Sequence, residues 1–595
     1  MILPKKKLVN FFSIFYRAYW GYKKQILALT ILGFMSSLLE GIGVNVAIPI
    51  FSFISGSGDR ADDPISKIIK SFFDYFKISY SLKYLFIFIC FLIILRIFVM
   101  LLSNYIKIRI TAEYEEKTRG RLFELTTKAN WQYLLKQKLG HLETMLVTNI
   151  QHGSNLLQYI SDSFMIMASL VIFLLVAVNI SWVITLITLI LGGSIFFVFK
   201  PFLYKIRALA RENEKINRQT AHHVNENILG MKTIKVMSAS SQITDRAKAY
   251  FKTIKELVVK TSFLTILTDV LVQPIGLIFL FIVFAISYKT SAFNFAALAA
   301  IIYLIQRIFN YTKQLQTTLY LMTVSSSYVN RLLEYQGEVK KYKEINSGAG
   351  AFKFTDSLEF KNVGFNYDNG KQVLTDVSFT VKKGEMVGLI GPSGAGKTTI
   401  VDIILRLFDP VKGEILIDGQ NINRIDLNEW RKNIGYVSQD IFLKNDTIAN
   451  NMKFYNDSIS DADMMEAAKM ANIYDLIENY PLKFETVIGE RGLLLSAGQR
   501  QRIIIARILA RQPKLLILDE ATSALDNESE IQIQKVIEKL KNKITVLAIA
   551  HRLSTVANSD KLIIIKDGKI VEQGAPAKMM ADPGSYFYKM QNLKK

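Results

Sequence analysis

The sequence is nearly free of cysteine, since Cys90 is the only one among its 595 residues. A single cysteine excludes a disulfide framework within the chain and a zinc site built on several thiolates. Cys90 lies inside an apolar run, where a lone thiol is typically a small buried hydrophobic side chain. The length exceeds that of one ordinary domain, so we expect several domains.

Acidic residues are scarce relative to basic ones. The 73 Lys and Arg outnumber the 51 Asp and Glu, which gives a formal net charge of +22. Such an excess fits a nucleic-acid-binding protein, and it equally fits a membrane protein with basic cytoplasmic loops. Because 50% of the residues are hydrophobic, a disordered chain is excluded. The position of the basic residues decides between the two classes.

Long apolar runs are missing from the second half of the chain and frequent in the first. Runs of about 20 apolar residues, the length that crosses a bilayer as a helix, predict six transmembrane helices. They lie at residues 25–53, 82–106, 155–178, 182–204, 258–288 and 293–323. The N-terminus mixes basic and aromatic residues without the compact apolar core of a signal peptide, which predicts an interfacial elbow helix.

The distribution of Lys and Arg predicts the orientation, because basic loops stay in the cytoplasm. Basic residues are concentrated at the N-terminus and in stretches 107–138 and 200–256, whereas the connections 179–181 and 289–294 are short and nearly uncharged. Since the basic stretches have a helical pattern and are too long for turns, helices 2 to 5 are expected to extend well below the bilayer. This explains the net charge, and no nucleic-acid partner is expected.

One outer connection, residues 54–81, is long enough to hold an element of its own. We expect an amphipathic helix that begins at Pro64 and lies on the outer leaflet; packing against the transmembrane bundle is the alternative. Its apolar face consists of Ile65, Ile68, Ile69, Phe72, Phe73 and Phe76.

The sequence changes character after about residue 335. The stretch 336–356 is charged and contains Gly and Ser, as linkers do, and beyond it strand-like runs such as MVGLIG and KLLILD alternate with helical ones. We therefore predict a membrane domain of six transmembrane helices with long cytoplasmic extensions at 1–335, a linker at 336–356, and an α/β domain at 357–595.

A phosphate-binding motif lies between the strand MVGLI and a helical run. Residues 391–398 read GPSGAGKT and match G-x-x-x-x-G-K-[ST] in the strand–loop–helix context that makes this motif specific. Glycines let backbone N–H groups approach phosphate oxygens, Lys397 reaches the β- and γ-phosphates, and Thr398 ligates Mg²⁺. The domain is thus predicted to be a P-loop ATPase. Its predicted nucleotide contacts here are Gly391, Ser393, Gly394, Ala395, Gly396, Lys397, Thr398 and Thr399.

A second candidate feature is the apolar strand LLILDE, which ends in Asp519 and Glu520. Neighbouring side chains on a strand point to opposite faces, so the two carboxylates can take different roles. Asp519 is expected to hold the Mg²⁺ shell and Glu520 to act as the base for the attacking water. Taken alone, this pattern is equally typical of an ordinary strand end.

A third motif, Leu495-Ser496-Ala497-Gly498-Gln499, opens a helical, arginine-rich run. Ser496 and Gln499 have the spacing of a capping box, and the helix N-terminus can bind a second phosphate. The segment resembles the LSGGQ signature of ATP-binding cassette (ABC) proteins, with Ala497 at the usual third-position Gly. The added methyl group is expected to hinder the approach of the γ-phosphate slightly, while the backbone amides remain.

The resemblance extends over the whole chain and implies further roles. Tyr367 resembles the aromatic residue that stacks on adenine, and Gln439 the Mg²⁺ contact that couples the site to the membrane domain. Asp526 resembles the contact across the dimer, and His551 the γ-phosphate sensor. The resemblance implies an exporter-type half-transporter that binds ATP and Mg²⁺. Glu520 and His551 are both present, so the resemblance implies an intact ATP site and a half-transporter that pairs with a second copy of the same chain.

The expected function is ATP-driven export from the cytoplasmic side, in a bacterial inner membrane with the ATPase domain in the cytoplasm. The segment LLEGIGVNVAIPIFSFI and the amphipathic outer helix resemble flippases of lipid-linked oligosaccharides, so such a lipid or a related amphiphile is the expected substrate. Drug, lipid A-like and peptide export stay open. A non-transporting channel or regulator is the alternative from another class.

Two arginines within the predicted spans are candidates for substrate binding. Arg96 and Arg307 lie at a common depth, roughly 21 Å from the outer ends of their helices at 1.5 Å per residue. Charges inside a membrane usually face a water-filled cavity or a partner, and two cations at one depth fit an anionic head group such as a pyrophosphate. In the structural alternative, either arginine pairs with Glu40 or extends toward the cytoplasmic head groups.

Overall fold

The computed structural model of the chain describes residues 14–54, 64–137, 141–180, 182–287, 295–367, 370–520, 526–550 and 556–592. The chain divides into two compact units. The first, named here the helical unit, runs to Lys128 and again from Gln137 to Lys341. The second, the sheet unit, consists of Ala129–Lys136 and Tyr342–Lys595.

The N-terminal part of the chain is built mainly from long helices, with short ones between them. They are α1 (Lys23–Ile54), α2 (Pro64–Tyr75), α3 (Leu82–Thr127), α4 (Trp131–Leu135, in the sheet unit), α5 (Ile150–Ile180), α6 (Trp182–Leu229), α7 (Met231–Val236), α8 (Ser240–Ser287) and α9 (Phe295–Lys341). Each predicted transmembrane span lies on one of the long helices, within the described residues. Helices α3 and α9 have 46 and 47 residues, about 70 Å at 1.5 Å per residue, which is more than twice a hydrocarbon core of about 30 Å.

Three helical stretches are long and apolar enough to cross a bilayer in the part of the chain whose side chains are described: Ile14–Gly43, Leu82–Thr127 and Leu142–Val178. Small residues let two of them approach closely. A Cβ at Gly33 of α1 would lie 2.7 Å from Met165 Cγ of α5, and the hydroxyl oxygens of Ser37 and Ser169 are 2.5 Å apart. Close packing through Gly and Ser is typical of helices in membranes.

The amphipathic helix α2 packs on α3 through Phe72 and Phe73, whose ring centroids lie 5.2 and 5.7 Å from that of Phe88. Phe73 is buried and forms a cluster with Leu85. Tyr75 and Phe76 are exposed. The alternative of packing against the bundle therefore holds for Phe72 and Phe73, whereas the side chains of residues 64–69 lie outside the described ones.

Cys90 is exposed on α3, so the expectation of a buried thiol is wrong. A helix that crosses a membrane can turn apolar side chains outward to lipid, which is itself apolar. An apolar neighbourhood in the sequence therefore does not imply burial within the protein.

The described residues of the sheet unit form two sheets. Its strands are β1 (Ser357–Asn366), β2 (Gln372–Lys382), β3 (Met386–Ile390), β4 (Lys412–Ile417), β5 (Gln420–Asn421), β6 (Ile434–Val437), β7 (Leu515–Asp519), β8 (Thr545–Ile549), β9 (Lys561–Lys566) and β10 (Lys569–Gly574). The smaller sheet has the antiparallel order β2-β1-β4-β5. The larger has the order β10-β9-β3-β8-β7-β6, parallel except for β10.

Helices alternate with these strands and complete an α/β fold. They are α10 (Lys397–Ile404), α11 (Leu427–Lys432), α12 (Ile448–Lys453), α13 (Asp461–Met470), α14 (Tyr474–Glu478), α15 (Ala497–Leu509), α16 (Asn527–Leu540), α17 (Pro576–Ala581) and α18 (Tyr586–Asn592). Strands β3 and β7 are fully buried, run parallel and flank β8. Their carboxyl ends therefore meet at one edge of the sheet, where ligands bind in folds of this class.

The predicted linker, 336–356, overlaps the end of α9. This helix continues to Lys341, and Val339 is buried on it. The charged, glycine-containing composition therefore starts before the helix ends. Residues 342–350 follow as part of the sheet unit and form hydrogen bonds with other segments of it.

Candidate functional site

The loop after β3 has the backbone that a phosphate cradle requires. Gly394 and Gly396 have φ of +78° and +105°, values that side chains rarely allow. A Cβ at Gly396 would lie 2.6 Å from Leu374 Cδ2, and a Cβ at Gly391 would lie 2.1 Å from Ile565 O. Glycine is therefore needed for the loop shape, which fits a bound phosphate chain.

Lys397 opens α10 and folds back onto this loop. Its Nζ donates to the carbonyl oxygens of Gly391 and Pro392, both at 2.9 Å. Burial lowers the pKa of Lys397, and the charges of Glu520 and Asp519 oppose that change. The ammonium and both carboxylates therefore share one electrostatic site. Among the other predicted loop residues, Ser393 and Thr398 are exposed, and Ala395 and Thr399 are buried.

Tyr367 follows β1 and contacts the helix that opens with Lys397. Its hydroxyl lies 3.2 Å from Thr399 Oγ1. Its ring meets those of Phe365 and Phe408 edge-on, with centroid distances of 5.1 and 5.6 Å. These contacts fix a partly exposed ring beside the loop, as stacking on a purine requires.

Asp519 is buried at the end of β7, next to two groups that the sequence analysis missed. Tyr436 of β6 donates its hydroxyl to Asp519 Oδ2 at 3.3 Å. Burial and the Asp519 charge raise the pKa of Tyr436, so it stays a donor. Burial, and then Asp519, also raise the pKa of Asp402 on α10 to about 6. Asp402 lies four positions after Thr398, on the same helix face, and this spacing could have identified it.

Glu520 and Gln439 come together at the same sheet edge. Glu520 has φ of +50°, an uncommon conformation for a residue with a side chain, and its N–H donates to Ile549 O at 3.0 Å. Gln439, which follows β6, donates from Nε2 to Glu520 Oε2 at 3.0 Å. Backbone strain of this kind is often found at functional sites.

The predicted capping box at Ser496 is present. Ser496 Oγ accepts from the Gln499 N–H at 3.2 Å, and Gln499 Oε1 accepts from the Ser496 N–H at 2.9 Å. Gly498 is so close to α16 that a Cβ would lie 2.2 Å from Ser529 Oγ. Asp526 caps α16 by accepting from the Ser529 N–H at 3.5 Å. Ser529, which had no signal in the sequence, thus links the signature motif to the predicted dimer contact Asp526.

The roles of the predicted site residues stay predictions, and two of these residues need a separate remark. Ala497 is the first residue of α15, and it packs against the hydrophobic core of its own domain. Its effect on the approach of a phosphate is therefore still an expectation. His551 lies outside the described residues.

In the helical unit, Arg96 of α3 and Arg307 of α9 share the carboxylate of Glu40 on α1. The distances are 2.6 Å from Arg96 Nη2 to Glu40 Oε2 and 2.5 Å from Arg307 Nη2 to Glu40 Oε1. Glu40 is only 3% exposed, whereas the arginines are 28% and 33% exposed. The structure therefore brings the two arginines to one point, as their depth predicted, and shows the Glu40 pairing that was the alternative.

An apolar multi-helix domain ahead of a P-loop domain with a capped signature helix defines a membrane transporter of the ATP-binding cassette class. The chain belongs to the ABC transporters. The family described as ABC transporter transmembrane region matches residues 27–312, and the family described as ABC transporter matches residues 374–523.

Individual ABC proteins are similar to this chain over most of its length. The heterocyst differentiation ATP-binding protein HepA of Nostoc sp. is 32% identical over 80% of this chain and 79% of that protein. The ATP-dependent lipid A-core flippase of Paraburkholderia xenovorans is 31% identical over 82% of each chain. A bacterial Atm1-family ABC exporter, solved with ATP bound, has a TM-score of 0.76 at 24% identity and matches 96% of this chain and 99% of that one. The fold class and the family expected from the sequence are confirmed.

Proposed function

We propose that this chain is one half of a homodimeric exporter that hydrolyses ATP with Mg²⁺ and moves an amphiphilic lipid outward. A lipid-linked oligosaccharide or a related lipid is the substrate, and the bacterial inner membrane is the location, with the ATPase domain in the cytoplasm. The observation that carries the proposal is the contact between Gln439 and Glu520 at the sheet edge that also holds the Lys397 loop.

The residues at this edge divide the work of ATP hydrolysis. The loop amides and Lys397 bind the phosphates, while Thr398 and Asp519 hold Mg²⁺. Mg²⁺, when bound, offsets the negative charge of the β- and γ-phosphates. Glu520 accepts a proton from the water as the water oxygen bonds to the γ-phosphorus, while the bond from the γ-phosphorus to the β–γ bridging oxygen breaks and ADP leaves. The Gln439 amide can serve two partners, because its carbonyl oxygen is available to Mg²⁺ while its Nε2 orients Glu520.

A second copy of the chain supplies the other side of each ATP site in this proposal. Ser496 is exposed at the start of α15, a 13-residue helix whose N-terminus favours negative charge. Asp526 is exposed as well, and Ser529 couples it to Gly498. Signature helix and Asp526 can therefore approach a partner as one rigid surface. Membership in a family of half-transporters supports the pairing.

The charge cluster around Glu40 supports an anionic substrate. Two guanidinium groups face one carboxylate, so the cluster carries one excess positive charge, and the arginines are about one-third exposed. Tyr303 fixes the geometry, because its hydroxyl donates to Glu40 Oε1 at 3.1 Å and accepts from Arg307 Nε at 2.8 Å. A diphosphate head group would satisfy the excess charge. A lipid A-like substrate is the second candidate, because relatives carry the name lipid A-core flippase.

The test compares two lipids in proteoliposomes. ATPase stimulation by a polyprenyl pyrophosphate glycan and by lipid A is measured for the wild type, Arg96→Ala and Arg307→Ala. Arg109→Ala, an exposed position on the same helix as Arg96, is the control. We expect stimulation by the preferred lipid to fall in both Arg96→Ala and Arg307→Ala while basal turnover persists. Unchanged stimulation in both would exclude the anion site, and loss of basal turnover would assign the arginines a structural role.

A further inference from the structure

The segment Tyr342–Gly350, named here the strap, is part of the sheet unit and is held by hydrogen bonds to other segments of that unit. It follows α9 directly in the chain. Asn346 donates from Nδ2 to Asp426 Oδ2 at 2.7 Å and accepts from the Leu427 N–H at 3.0 Å. The Gly350 N–H donates to Arg424 O, and the Asp426 N–H donates to Gly350 O, both at 2.9 Å.

At Gly348 the strap leaves no room for a side chain. A Cβ at Gly348 would lie 2.1 Å from Ile425 O and 2.7 Å from the carbonyl carbon of Arg424. The strap backbone is therefore pressed against the backbone of the segment before α11. A movement of the strap must move that segment too.

The beginning of the strap binds the short helix α4, which follows the long helix α3 after a few residues. The rings of Tyr342 and Tyr133 stack with centroids 5.0 Å apart and an interplanar angle of 20°. The Asn130 N–H donates to Tyr342 O at 2.7 Å, and the Asn130 side chain caps α4 by accepting from the Tyr133 N–H at 2.9 Å. The chain therefore runs from α3 into α4 and from α9 into the strap, and α4 and the strap contact each other.

One guanidinium group joins the strap to the helix that carries the phosphate loop. Arg431 of α11 makes a two-pronged contact with Glu344, at 2.9 Å from Nη1 to Oε2 and 2.7 Å from Nη2 to Oε1. The same guanidinium donates from Nε to Leu405 O at 3.1 Å and from Nη2 to Arg406 O at 2.8 Å. These carbonyls lie at the C-terminal end of α10, whose first residue is Lys397.

We propose that Glu344 and Arg431 are positioning residues that couple the two long helices to the phosphate loop through the strap. Helix α10 has 8 residues, so Arg431 acts about 12 Å from Lys397 through one rigid element. The paired fork of a guanidinium and a carboxylate fixes direction as well as distance, which a lysine could not do. The inference rests on the proposed ATP-driven homodimer, because the coupling would transmit movement between ATP hydrolysis and transport in that dimer.

Substitutions can separate the contact of Arg431 with the strap from its contacts with the end of α10. Glu344→Gln removes the charged strap contact and leaves the bonds from Arg431 to Leu405 and Arg406. Arg431→Gln removes both sets of contacts. Glu478→Gln is the matched control, because Glu478 pairs with Lys483 at 2.8 Å in the same domain but not with the strap. We expect the KM for ATP to stay within about two-fold in Glu344→Gln and to rise about five-fold or more in Arg431→Gln.

The movement itself can be followed through Cys90. As the only cysteine, and an exposed one, it takes a spin label without engineering and reports the distance between the two protomers in nanodiscs. Wild type and Glu478→Gln should show a change in this distance on addition of ATP, Mg²⁺ and vanadate. Glu344→Gln should lose at least about half of that change while it still binds ATP, since a fork contact is replaced by a single weaker bond.

The outcomes distinguish the coupling from the function beneath it. A full wild-type distance change in Glu344→Gln would overturn the inference. A parallel loss of ATP affinity, melting temperature and distance change in Glu344→Gln would also overturn it, because the pair would then be only structural. If the wild-type labels show no ATP-dependent change at all, the proposed dimeric transporter fails, and the strap coupling fails with it because no movement exists to transmit.

Discussion

Replacing Glu520 with Gln tests whether this carboxylate is the base for hydrolysis. The amide keeps the side-chain length and the Cβ, so the backbone strain at φ +50° is unchanged. The introduced amide oxygen can still accept from Gln439 Nε2, at the present 3.0 Å, and loses only the charge-assisted part of that bond, about 1 kcal/mol. Proton transfer is lost entirely, so turnover should fall by about 10²- to 10⁴-fold, or about 3 to 5 kcal/mol of barrier.

The assay measures phosphate release and nucleotide binding on the same preparation. Binding of ATP should stay within about two-fold of wild type, because the loop and Lys397 contacts are untouched. Glu359→Gln, which removes a carboxylate paired with Lys361 on the domain surface, is the matched control and should hydrolyse ATP normally. Steady hydrolysis near the wild-type rate in Glu520→Gln would remove Glu520 from the mechanism, and loss of both binding and turnover would mean that it is structural.

Three further changes test the neighbouring groups. Ala497→Gly should leave ATP turnover equal or about two-fold higher, and a large loss would show that the methyl group is required. Gly498→Ala should lower turnover by about tenfold or more, because its Cβ would lie 2.2 Å from Ser529 Oγ, and the added substitution Ser529→Gly should restore part of the loss. Asp402→Asn tests the pH dependence of stability. Burial and Asp519 raise the pKa of Asp402 to about 6 from an unfolded value of about 3.9. The stability of the wild type therefore falls as pH rises between these two values. The substitution should therefore raise the melting temperature of the nucleotide-free, Mg²⁺-free protein at about pH 7.5 and not at about pH 4, with a gain of about 1 to 2 kcal/mol after allowance for partial exposure.

Features that depend on a short stretch of chain could be predicted from the sequence. The loop at Gly391–Thr398 and the box of Ser496 with Gln499 need only fixed local spacing, and both have the expected geometry. The apolar runs fixed the helices for the same reason, since bilayer thickness sets their minimum length. Local rules were sufficient wherever solvent or dihedral preference alone decides the structure.

Contacts that depend on strand order or helix packing were beyond the sequence. Gln439 meets Glu520 across 81 residues because β6 and β7 are neighbours, and that order has no local signal. Ser529 contacts Gly498 only because α16 packs on α15. Cys90 is exposed although its neighbours are apolar, since composition does not tell which face of a membrane helix turns to protein.

The Glu40 cluster shows why the choice of variant decides what can be learned about the substrate. Fixed helix rise predicted that Arg96 and Arg307 share a depth, but only packing shows that both pair with one buried carboxylate. Arg96→Ala leaves a one-to-one pair and should lower the melting temperature little. Glu40→Gln leaves two guanidinium groups without a carboxylate and should cost about 2 kcal/mol, less than the 3 to 5 of a fully buried pair because the arginines are partly exposed. Comparing the melting temperatures of the two variants in one detergent checks this order. If Arg96→Ala is the less stable protein, the cluster is held together by the arginine rather than by Glu40, and its loss of stimulation could no longer be read as loss of an anion site.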